Sequence, residues 1–185
     1  MTDDLKLDNP FATADGGAFV SPALDFLAGG APGDLLPSSE QIAAIVSVLS
    51  DAGICCLFTQ EYALVYYGSR CLTKDRVLCI PDEHHGRAVE IFNTIDILKP
   101  CGRSPISSPG SLNHTYPRFK ATGRLDFWLL VPASYYHIIC EPQNVEWSMG
   151  SLPYPKLDVY TQSLLDTKNG VDLEDIIDAM DLSEE

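Results

Sequence analysis

The chain has 185 residues, 45% of them apolar, and a formal net charge of −14; this suits one domain with a real core. No apolar run reaches the ~20 residues a membrane-spanning helix needs, and the acidic excess argues against an extended nucleic-acid surface, since phosphate contacts supply most of that affinity. The charge is uneven: residues 1–35 carry six acids and one base, residues 36–156 eleven and ten, and residues 157–185 nine and one, so the middle is nearly neutral.

Residues 1–37 mix Asp, Gly, Ala and Pro, with Gly29-Gly-Ala-Pro-Gly33 as the strongest breaker cluster. This composition is expected to form a disordered arm, because it buries too little apolar area to offset ordering. The first residues lack the basic region and long apolar core of a secretory signal, which favours cytoplasm or nucleus. A folded domain is expected over 38–182.

Ser38 followed by Gln41 predicts a capped helix start, and Ile42, Ile45, Val46 and Leu49 give one buried stripe ending near Ala52-Gly53. Ile54 to Phe58 reads as a short core strand. Glu61 to Tyr67 fits helix or strand by periodicity alone. Arg76 to Ile80 is a strand closed by Pro81, and Asp82 is a fitting cap for a helix with Ala88, Ile91, Phe92 and Ile95 on one face. Lys99 to Arg124 is rich in Pro, Gly, Ser and Asn, a span expected to be a functional or mobile loop. Phe127 to Val131 resumes as a core strand, Tyr135 to Cys140 is a candidate for another, and two helices finish the chain, one from Pro155 and one carrying Leu173, Ile176, Ile177 and Met180.

The six cysteines show no paired spacing and are expected to be buried free thiols. His137 with Cys140, and the pair His84-His85, each lack the second half that a zinc site needs. A nucleophile built from Cys140 and His137 has poor geometry on one strand, and neither a Gly-x-Ser-x-Gly elbow nor a Walker loop occurs.

The stretch from Ala63-Leu64 through Tyr67-Gly68, Arg70 and Thr73 to Asp75 resembles the signature G-G-x-A-L-x-x-Y-G-x-x-R-x-T-x-D-x-D of the minimal and toxin-type nucleotidyltransferases. Val145-Glu-Trp-Ser, Leu152-Pro-Tyr-Pro-Lys-Leu157 and Gln162-Ser-Leu-Leu165 are similar to fungal proteins with such a core. The resemblance covers residues 40–182 and implies helix for Glu61 to Tyr67, with Gly68 at its end. Together with the element order, it implies an α/β fold, a small mixed sheet flanked by helices. It also implies catalytic and metal-ligating roles for Asp75 and Asp126, and nucleotide contacts from Gly68, Ser69, Arg70 and Lys74.

The departures fall on the chemistry. Nucleotidyl transfer uses two carboxylates on one strand face to hold metal ions against the triphosphate, and the second is here Val77. A glycine pair lets the backbone approach phosphate, and Gln60-Glu61 stand in its place. Asp75 with Asp126 would hold one Mg2+ weakly, and Val77→Asp would return the missing ligand. The expected protein is a pseudoenzyme that binds a nucleotide or a partner. The alternatives are an active metal-dependent nucleotidyltransferase acting on a small molecule or protein, and an accessory protein that engages a protein partner through its acidic C-terminal segment.

Overall fold

A computed structural model describes residues 37–73, 75–104, 111–125 and 127–180. The arm expected over 1–37 lies, apart from Pro37, outside the described residues, as do Lys74, Asp126 and positions 181–182 of the expected domain.

Helix α1 (Ser39–Asp51) opens with the expected reciprocal cap: Gln41 N–H donates to Ser38 Oγ (3.3 Å) and Ser38 N–H to Gln41 Oε1 (3.0 Å). Such a cap satisfies two of the N–H groups every helix start leaves unpaired. Strand β1 is only Leu57–Phe58, shorter than the apolar run that announced it. Helix α2 (Glu61–Tyr66) follows at once. Gly68, just past its end, has φ +102°, which favours glycine, and a β-carbon there would lie 3.4 Å from the carbonyl oxygen of Ala179, the last residue of the last described helix.

Strand β2 (Arg76–Ile80) is buried throughout. It leads to α3 (Asp82–Thr94), whose capping position is Pro81 rather than Asp82; Asp82 is the first helical residue. The expected stripe is present, with Ala88, Phe92 and Ile95 buried and Ile91 half-buried.

The span 99–124, expected as a loop, contains two strands: β3 (Leu98–Pro100) and β4 (Arg118–Ala121). Strand β5 (Phe127–Pro132) ends in a short helix α4 (Ala133–Tyr136). A strand over 135–140 is therefore not what forms there. The turn of helix after Pro132 places His137 in the left-handed region (φ 54°) and breaks any extended run. A hairpin of β6 (Val145–Trp147) and β7 (Pro153–Pro155) precedes α5 (Leu157–Asp166) and α6 (Gly170–Ala179).

The five-stranded sheet has the order β1-β2-β5-β4-β3, with β2 and β5 parallel and the other neighbours antiparallel. The fold is thus mixed α/β, and alternation divides the sheet into two faces. One carries Leu78, Ile80, Trp128, Leu130, Phe119 and Ala121 into the main core with α1 and α3. There Phe92 lies edge-on to Phe119 (5.4 Å between centroids) and to Trp128 (6.0 Å); each such fully buried large side chain contributes roughly 1.5–3 kcal/mol. The opposite face carries Val77, Leu129 and Val131, covered by Tyr116, Tyr135 and Tyr136. Among the described residues, no helix is long and apolar enough to cross a membrane.

Candidate functional site

Asp75 sits immediately before β2 and is almost fully buried. Arg118, on β4, grips it with two parallel bonds, Nε to Oδ2 (2.7 Å) and Nη2 to Oδ1 (2.8 Å). Ser104 Oγ adds a third donor to Oδ2 (2.7 Å). The guanidinium lies over the Phe127 ring at 3.8 Å, and its Nη1 donates to Gly102 O (3.4 Å). Burial alone would lower the Arg118 pKa, but the hydrogen bonds and charge of Asp75 raise it overall. A two-pronged arginine clamp of this kind takes up the lone pairs with which a carboxylate would bind a cation.

Two residues along the strand, Val77 is buried among Leu129, Val131 and the three tyrosines. A hard cation such as Mg2+ demands oxygen ligands in a near-octahedral set. The described residues do not supply one here: Asp75 is occupied, Val77 has no donor, and no group of three His, Cys, Asp or Glu side chains among them is arranged to hold a metal.

The turn that replaces the glycine pair keeps a glycine-type backbone. Gln60 has φ 55° and ψ −136°, a combination rarely taken by a residue with a side chain. Three contacts hold it there. Its Oε1 accepts from Asn113 Nδ2 (3.0 Å), its carbonyl accepts from Tyr160 OH (3.2 Å), and Leu64 N–H bonds the same carbonyl (3.0 Å). Asn113 Oδ1 in turn accepts from Tyr136 OH (3.3 Å). Burial pushes the phenols of Tyr136 and Tyr160 well above their ordinary range, so both remain donors.

The other described nucleotide contacts expected from sequence lie just past the end of α2. Gly68 packs on Ala179, Ser69 N–H donates back to Leu64 O (2.9 Å), and Arg70 is exposed. Among the described residues, no hydrogen bond or ion pair joins any of the three to Asp75.

No protein-family model matches this chain, and no curated protein matches it.

Beside the Gln60 turn opens a cleft of about 640 Å3, walled by α4, α5 and the junction between α5 and α6. Of the four non-glycine residues with positive φ among those described, three line it: Gln60, His137 and Lys168. Lys168 occupies the left-handed position that ends α5, where its N–H bonds Leu165 O (3.1 Å) and Asn169 N–H bonds Leu164 O (2.8 Å). Glycine is the usual occupant of that position, and a side chain there costs about 1 kcal/mol. Asp172, in the first turn of α6, also lines the cleft. Burial raises its pKa, the hydrogen bond from Asn169 Nδ2 (2.7 Å) works the other way, and the charge of Asp175 adds to the rise.

Sequence reasoning singled out Gln60 and His137 for other reasons and did not single out Lys168 or Asp172 as site residues. No spacing rule marks them, since their convergence depends on the α5–α6 turn.

A second cavity of about 480 Å3 is lined by Asp82, His137 and Cys140. Cys140 turns inward, its Sγ 3.5 Å from Cys79 Sγ and 3.6 Å from Cys79 O, with no bond to His137. The nucleophile reading gains nothing from this arrangement. All six cysteines are free, with Cys56, Cys79 and Cys140 buried and the others half-buried.

Proposed function

We propose that this chain is a nucleotidyltransferase-like domain that binds rather than transfers. The observation that carries the reading is the Arg118 clamp, which neutralises Asp75 with both of its oxygens bonded. The apolar roof over Val77 supports it. The glycine-type backbone retained at Gln60 supports descent from a phosphate-binding turn, while the side chain it carries is tied to Asn113 where the family's turn would have none. In this reading the ion pair has replaced the metal as the partner of the first carboxylate, and the tyrosines fill the space of the second. The acidic segment over 157–185 would serve to attract a basic partner rather than a nucleic acid.

The test is a transfer assay with labelled nucleoside triphosphates and Mg2+, run beside a thermal-shift titration of the same ligands. The expected outcome is no transfer and no Mg2+-dependent shift. Robust transfer by the wild-type protein, abolished by Asp75→Asn, would refute the proposal and make the chain an active nucleotidyltransferase.

A further inference from the structure

We propose that Cys79 and Cys140 are a reversible dithiol–disulfide pair, oxidised by hydrogen peroxide that enters through the cavity over Cys140. The inference is independent of the reading of Asp75.

The two cysteines are 61 positions apart and belong to different parts of the fold. Cys79 lies within β2, between Leu57 of β1 and Val131 of β5, and is 0% exposed. Cys140 follows α4, in a run without helix or strand between His137 and the short turn Pro142–Asn144. Its thiol donates toward Cys79 Sγ at 3.5 Å and toward Cys79 O at 3.6 Å. Among the described residues no second pair of cysteines is so bonded. A disulfide holds its sulfurs at about 2.05 Å, so these two must close by about 1.5 Å. The irregular run around Cys140 supplies that movement, while Cys79 stays fixed by a strand on either side.

Access decides which sulfur reacts first. Cys140 is 8% exposed and lines the cavity of about 480 Å3, and Cys79 does not line it. Asp82, Glu83 and Glu141 line the same cavity. These carboxylates repel anionic oxidants such as glutathione disulfide and leave a small neutral one as the species admitted. They also disfavour the thiolate, so the reaction is slow.

In the first step the Cys140 thiolate attacks one peroxide oxygen. An S–O bond forms, the O–O bond breaks, and the departing hydroxide takes up the thiol proton as water. In the second step the Cys79 thiolate attacks the sulfenic sulfur of Cys140. The S–S bond forms, the S–O bond breaks, and a second hydroxide leaves as water with the Cys79 proton. Two thiols lose two electrons, and one peroxide is reduced to two waters. The hydrogen bond from Cys140, then burial, hold the Cys79 thiol well above its ordinary range; oxidation of Cys140 removes the first of these causes. The disulfide anchors the run that begins at His137, a residue on the walls of both cavities.

The experiment exposes the full, folded chain to millimolar hydrogen peroxide, blocks the remaining thiols and maps the peptides without reduction. Wild type yields one cross-linked pair, joining Cys79 to Cys140, with the loss of two hydrogens and recovery by dithiothreitol. Glutathione disulfide at the same concentration yields it at least tenfold more slowly. Cys79→Ala stops at a Cys140 sulfenic acid that dimedone traps, and Cys140→Ala leaves Cys79 unmodified. No cross-link in the folded wild type, a cross-link through Cys55 or Cys56 instead, modification of Cys79 in Cys140→Ala, or equal rates with glutathione disulfide would each overturn the proposal.

Discussion

Replacing Arg118 by methionine keeps an apolar chain over Phe127 and removes the guanidinium from Asp75. The two side chains are only 11% and 9% exposed, so the stranded carboxylate has little water to turn to. Removing one partner of a buried ion pair costs about 3–5 kcal/mol. The lower end applies here, because Ser104 still donates to Oδ2 at 2.7 Å, and the estimate becomes about 3 kcal/mol. For a domain of this size that is a fall in melting temperature of about 10 °C. Urea unfolding of wild type, Arg118→Met, Asp75→Leu and the double variant gives the coupling directly. The double variant recovers most of the loss, since an apolar pair leaves neither charge unpaired, and the cycle shows a coupling of at least about 2 kcal/mol. If Arg118→Met lies within about 0.5 kcal/mol of wild type, the pair behaves as ordinary surface charge, and the reading of Asp75 as a locked residue fails.

Val77→Asp places a carboxylate under Tyr116, Tyr135 and Tyr136 and is expected to cost more than about 3 kcal/mol; a stable variant that gains a Mg2+-dependent thermal shift would show that this face can open. Ser38→Ala removes one half of the α1 cap and should lower stability by about 1 kcal/mol in urea unfolding, with Gln41→Ala less than additive because it belongs to the same box. Burial first, then the charges of Cys140 and Glu141, pushes the Cys55 thiol from 9.0 up to about 12. Burial, with Tyr62 and Tyr66 adding and Arg76 opposing, takes Tyr154 from 10.0 to about 12. Both groups bind their proton more tightly when folded, so their contribution is complete below pH 9 and is lost as pH rises toward 12. Melting curves collected at rising pH above neutrality should decline once the solution passes the unfolded-state values, and a flat profile would contradict the assignment.

What the sequence disclosed about the fold was the part written in local patterns. Ser38 with Gln41, the stripe Ile42, Ile45, Val46 and Leu49, and the run Arg76 to Ile80 each state their element without help from the rest of the chain. Strands β3 and β4 are short and set among Pro, Gly and Ser; only their pairing with each other and with β5 makes them strands. Tyr135 to Cys140 reads as a strand in sequence, and the turn of helix that follows Pro132 overrides that reading. At the candidate site, Asp75 was conspicuous, but its partner lies 43 positions away and reads in sequence as one base among several. The positive φ of Gln60 and Lys168 leaves no trace in residue type, because neither is a residue enriched there, whereas His137 belongs to a type that is.

The sheet also determines how this protein meets other chains. Its outer strands are β1, with two residues, and β3, with three, and the second ends at Pro100 after an exposed Lys99. Proline offers no amide to a neighbouring strand, and a charged, abbreviated margin gives an incoming peptide too few rungs to climb. Recognition by strand addition is therefore closed on both sides, and crowding at high concentration should not zip copies together along their sheets.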